Sequence, residues 1–138
     1  MAQQMKYYTV FLDGIDKTGK DTIRQYVWRL NKSLNVFCRG YISLEVYNRL
    51  YKRNVAYELP YENALYVLLT VNHNDWTIRC EMTDEPVIDF LQHSTEFQVV
   101  FEQLKMNGYK TMSFNTSEMT PYQIAEQIVA YIDELNKM

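Results

Sequence analysis

A chain of 138 residues is long enough for one domain with a single sizeable core. Its 47% apolar content and twelve tyrosines exclude a disordered segment, and a net charge of −3 supplies no long-range attraction to nucleic acid. No apolar run approaches the length of a membrane span.

Two cysteines, Cys38 and Cys80, have neither metal nor disulfide spacing, and the short polar stretch Met1 to Lys6 is no signal peptide. These features predict a reducing, cytoplasmic setting without a membrane partner. In chain order, residues 7–13 read as a buried strand ended by Gly14. Residues 20–33 read as a helix with Ile23, Val27 and Leu30 on its apolar stripe. Asn35 to Cys38 form a second strand stopped by Arg39-Gly40, and residues 41–53 a second helix bearing Leu44, Tyr47, Leu50 and Tyr51. Residues 54–60 are a loop.

Asn63 to Thr70 contain the third strand, and Asp75 is placed to cap a short helix over 76–82. Thr83 to Pro86 read as loop. Residues 94–107 form an amphipathic helix ended by Gly108, and Tyr109 to Asn115 a fourth strand. Thr120-Pro121 opens a last helix to about Leu135, with Thr as cap and Pro in the first turn. Strands alternating with helices predict an α/β domain over residues 1–138. It is a P-loop NTPase-like three-layer sandwich, with a mostly parallel sheet of about four strands and helices on both faces. A ligand would lie at the carboxyl ends of the strands, where Gly14, Arg39 and Asn72-His73-Asn74 fall.

The segment Asp13-Gly14-Ile15-Asp16-Lys17-Thr18-Gly19-Lys20-Asp21-Thr22 is the chemical centre of the chain. Strand, glycine loop, lysine and helix is the order of a phosphate-binding loop, G-x-x-x-x-G-K-[ST]. Glycines let phosphate oxygens approach main-chain N–H groups, and the helix start adds unpaired amides and the positive end of its dipole. Lys20 then reaches over the loop to the outer phosphates. Gly14, Lys17, Thr18, Gly19, Lys20, Asp21 and Thr22 are thus the predicted nucleotide-binding residues. Asp21 stands where a hydroxyl is expected to touch Mg²⁺, so Asp21 and Thr22 are the candidate metal contacts. A carboxylate is a good hard ligand for that ion. His73 and His93 lack ligand spacing, and Met82, Met106, Met112 and Met119 read as core filler. The acidic run Glu81, Asp84, Glu85, Asp89 reads as a solvated face, with a carboxylate there as an alternative magnesium ligand.

The loop resembles the G-x-D-G-x-G-K-S-T of thymidylate kinases and related deoxynucleoside monophosphate kinases. Arg39-Gly40-Tyr41-Ile42-Ser43, continuing to Tyr47, is similar to that family's D-R-x-x-x-S-x-x-x-Y element. The resemblance implies a transferase using ATP and Mg²⁺ on a deoxynucleoside monophosphate, in nucleotide biosynthesis. It implies that Gly14, Gly19, Lys20 and Thr22 hold ATP phosphates. It also implies that Asp16 lies near the transferred group, that Arg39 binds the acceptor's phosphate or the transferring group, and that Arg79 falls near the lid. Tyr41, Ser43 and Tyr47 would line the acceptor pocket; by residue type alone, Tyr41 and Tyr47 also suit packing. Catalysis would fall to Lys20, Arg39 and Asp16, by positioning and positive charge. A homodimer is implied by the same likeness.

The chain departs from that pattern in three places. Asp21 replaces the hydroxyl, Cys38 replaces the aspartate before Arg39, and the segment between the first helix and the second strand is cut to a few residues, which removes most of the acceptor-binding module. An open site admits a second acceptor, a modified base such as 5-hydroxymethyluracil within DNA, as in viral relatives that modify DNA; the setting is then the host cytoplasm. A third reading is a nucleotide-binding interaction protein without catalysis.

Overall fold

The structure is a computed structural model that describes residues 6–15, 17–54, 60–83 and 89–137. Its elements run β1 (Thr9–Gly14), α1 (Lys20–Leu30), β2 (Asn35–Cys38), α2 (Tyr41–Leu50), β3 (Ala64–Thr70), α3 (His73–Thr83), α4 (Phe90–Met106), β4 (Lys110–Asn115) and α5 (Pro121–Lys137). The four strands form one sheet in the order β2-β1-β3-β4, and every pair is parallel. Parallel neighbours need crossovers, and the helices between strands supply them.

Alternation along the strands sends side chains to two apolar layers. Val10, Leu12, Leu65, Val67 and Leu69 meet Ile23 and Val27 of α1 and Ile124, Ile128 and Ile132 of α5. On the other face, Tyr66 and Leu68 meet Ile42 and Val46 of α2, Trp76 and Cys80 of α3, and Phe97, Val100, Phe101 and Leu104 of α4. This is why Ala64 to Leu69 read as an unbroken apolar run: β3 is covered on both sides. The edge strand β2 is covered less completely. Phe37 lies half exposed, in register with Phe11, which in turn is in register with Tyr66. The three rings stack across the strands at 5.5 and 5.3 Å between centroids.

The predicted architecture is the observed one; several ends differ. α1 stops at Leu30, where Asn31 turns extended, and α2 stops at Leu50. α3 begins at His73, so Asp75 is inside its first turn rather than at its cap; there the carboxylate still faces the positive end of the helix. α4 begins at Phe90 because the Asp89 carboxylate accepts from the Gln92 amide at 3.0 Å. Met82 and Met106 are not core filler: they are 80% and 84% exposed, while Met112 and Met119 pack against the α1–α5 layer. Among the described residues, no helix is long and apolar enough to cross a membrane.

Candidate phosphate site and its two clefts

β1 delivers the chain to Gly14 at the carboxyl edge of the sheet. A Cβ there would collide with the Leu69 carbonyl oxygen, so the loop can leave β1 this close to β3 only through glycine. Gly19, at φ +81, turns the chain into α1 in a conformation that side chains resist. Lys17 also has positive φ, and Asp16 lies outside the described residues. Thr18 is buried, and its hydroxyl donates to the Ile15 carbonyl at 3.1 Å. The Lys20 ammonium folds back over the loop, donating to the carbonyls of Gly14 (2.9 Å) and Ile15 (3.2 Å) and to the Thr18 hydroxyl (3.3 Å). A cation and the amino end of a helix thus converge on one turn, an arrangement that attracts a phosphate group.

Clefts flank that turn. The first, about 390 Å³, is lined by Lys17, Thr18, Gly19 and Thr22 with Arg79, Met82, Thr116 and Pro121. Arg79 belongs to α3, and its guanidinium donates to the Lys17 carbonyl at 2.6 Å and to the Thr116 hydroxyl at 3.3 Å. The second cleft, about 580 Å³, runs along the sheet face on the α2 side. Phe11, Phe37, Tyr61 and Tyr66 form its aromatic wall. Arg39 and Tyr41 stand at the carboxyl end of the strands, with Thr9, Asn35 and Asn63 toward the amino end. The volume is in the range of small-molecule sites.

The other predicted site residues are placed as follows. Ser43 is buried; its hydroxyl and amide both donate to Asp13, so it faces the interior and does not line the second cleft. Tyr47 packs against α4, edge-on to Phe97 at 6.0 Å and stacked with Tyr51. Thr22 lines the first cleft. The Asp21 side chain is 82% exposed at the head of α1, 4.0 Å from Arg24. Burial first, and the Asp21 charge second, push the Cys38 thiol up, which keeps it protonated.

The histidines are accounted for by packing. Asp89's carbonyl lies 2.8 Å from His93 Nδ1, and the Tyr51 hydroxyl 2.7 Å from Nε2. His73 stacks flat on Phe90 at 4.7 Å. Among the described residues, no three His, Cys, Asp or Glu side chains gather into a metal cluster. Of the acidic run, Glu81 is exposed, Asp89 caps α4, and Asp84 and Glu85 lie outside the described residues.

Sequence reasoning passed over Asp13. It is fully buried, and one carboxylate oxygen accepts from the amides of Gly40 (2.7 Å) and Ser43 (3.1 Å) as well as from the Ser43 hydroxyl. Burial raises its pKa above the usual carboxylate value, against the lowering pull of these hydrogen bonds and of Lys20. The signal was present: an acidic residue ending an otherwise apolar strand needs a partner. The contact of Arg79 with Lys17 had no such signal, since 62 positions separate them.

A parallel sheet with a glycine loop and a lysine between its first strand and first helix defines an α/β fold of the P-loop NTPase-like kind. The solved structure of the YorR protein from Bacillus subtilis, in complex with phosphorylated GDP, is similar: its TM-score is 0.64 at 17% identity, over 91% of this chain and 95% of that one. At that identity the likeness is one of fold. No protein-family model and no curated protein sequence matches the chain.

Proposed function

We propose that this single domain is an ATP-dependent phosphotransferase resembling thymidylate kinase, with a deoxynucleoside monophosphate as acceptor. The observation that carries the reading is Lys20, folded over the loop carbonyls between two clefts. The triphosphate would lie along the amides of residues 14–22, with the nucleoside end in the cleft of Thr22, Arg79 and Thr116. The acceptor would occupy the aromatic cleft with its phosphate toward Arg39, so that donor and acceptor meet at the loop. Lys20 and Arg39 would then surround the transferring group with positive charge, which is the main demand of phosphoryl transfer.

Mg²⁺ binds through one or two carboxylates and completes its shell with water and phosphate oxygens. The exposed Asp21 carboxylate at the head of α1 fits that need, with the Thr22 hydroxyl one residue on. Bound there, the ion would offset charge on the phosphates. Asp16 keeps its proposed place near the transferred group, and a homodimer partner would supply walls for the site.

One observation favours a second acceptor. Phe37 leaves the aromatic cleft open at the sheet edge, which suits a base extruded from DNA. The test is release of ADP from ATP·Mg²⁺ with deoxynucleoside monophosphates, nucleosides or hydroxymethyluracil-containing DNA, with Lys20→Ala as control. Turnover dependent on a monophosphate is the expected result. Turnover dependent on DNA would move the assignment to base modification. ATP binding without turnover on any acceptor would leave a nucleotide-binding protein without catalysis.

A further inference from the structure

We propose that Asp13 is a positioning residue: from the end of β1, its carboxylate caps α2 and so sets where Arg39 stands relative to the phosphate loop. The proposal rests on the reading of Arg39 as the acceptor-side cation. α2 has no cap of its own, because Gly40 occupies the cap position and offers no side chain. Its orphan donors are met instead from another element. One oxygen of Asp13 takes the amide at the cap (Gly40) and the amide of the third helical residue (Ser43), together with the Ser43 hydroxyl. A local capping residue reaches one of these amides; this carboxylate, 27 and 30 positions away, reaches both.

Arg39 is clamped as a result. Its amide donates to the Leu12 carbonyl at 2.9 Å, and the next amide, that of Gly40, donates to Asp13. Between these anchors Arg39 holds φ at +83, which a residue with a side chain seldom adopts without support on both sides. On its other flank Asp13 is followed directly by Gly14, whose carbonyl accepts from Lys20. A single buried side chain thus connects the backbone under Lys20 to the backbone under Arg39. Its second oxygen has no partner among the described residues, so the capping oxygen is the part of the group that acts.

The test compares Asp13→Ala with Asp13→Asn, which keeps a capping oxygen. In phosphoryl transfer from ATP·Mg²⁺ to thymidine monophosphate, Asp13→Ala should raise the acceptor KM at least tenfold and leave ATP affinity within twofold. Asp13→Asn should restore the acceptor KM to within about threefold of the parent. Failure of Asn to rescue, or equal losses for both substrates, would overturn the proposal. Amide hydrogen exchange reads the same clamp without a substrate. Gly40 and Ser43 should exchange at least tenfold faster in Asp13→Ala while Ile128 and Ile132 are unchanged; unaltered exchange at Gly40 and Ser43 would also overturn it. Should Asp13→Ala not fold, Ser43→Ala, which removes one of the three bonds, should show a smaller change of the same pattern, and the absence of that change counts against the clamp. A parent protein that turns over no acceptor removes the kinase reading alone, because the exchange result still decides the clamp.

Discussion

Lys20 brings a full charge onto two successive main-chain oxygens, those of Gly14 and Ile15. A triphosphate would draw that ammonium outward, exchanging neutral acceptors for charged ones. Replacing Lys20 by Ala should therefore weaken ATP binding by about 1.5–3 kcal/mol, roughly ten- to a hundredfold, measured by calorimetry. Asp13 gives a prediction with a definite sign. Its folded pKa lies above its ordinary 3.8, so the unfolded chain ionises first as pH rises. The native state binds the extra proton over that interval and loses stability from about pH 3.8 up through the raised folded value. Asp13→Asn has no such loss. Its urea stability relative to the parent should be greater at pH 7 than at pH 4, and a difference that falls with pH would contradict the assignment.

Helix ends set what each element can be trusted to do. Asp89 and Gln92 begin α4, while Thr120 and Gln123 begin α5 with reciprocal bonds of 3.0 and 3.2 Å. Losing such a cap typically costs about 1 kcal/mol, so Asp89→Ala should lower the urea midpoint by that equivalent without changing the m-value. The last helix was legible because Thr120-Pro121 is an explicit start signal. The start of the fourth is less legible, because its first turn, Phe90-Leu91-Gln92-His93, gives no simple apolar stripe. Strands were legible from continuous apolar runs, and the turn between β1 and α1 from its glycine spacing. Contacts between distant elements were not. Nothing local says that Ser43 turns toward Asp13, that Tyr47 packs on Phe97, or that Arg79 reaches Lys17. Those positions are decided by which helix lies against which strand.

At the scale of the molecule, the sheet order puts β1 between β2 and β3, so the loop that follows it is centred and a cleft falls on either side. One cleft is bordered by residues of α1, α3 and α5; the other follows an edge strand. Phe37 belongs to the second and bears little of the core, being half exposed. Phe37→Ala should leave stability within about 1 kcal/mol and raise the acceptor KM several-fold, with ATP affinity preserved. A matching loss for ATP would mean that the two clefts are not separate sites.

Trp76 lies on the inner face of α3, three residues before Arg79, in the same apolar cluster as Ile15 of the loop. Its indole N–H is buried without a partner among the described residues, whereas Trp28, the other tryptophan in the chain, is half exposed on α1. The molecule therefore carries an internal optical gauge. In Trp28→Phe, emission comes from a dry indole next to the glycine loop, and if ATP binds there as proposed, titrating it should alter the emission intensity or colour in step with occupancy. No dye need be attached to follow loading, competition between donors, or the order in which two substrates arrive.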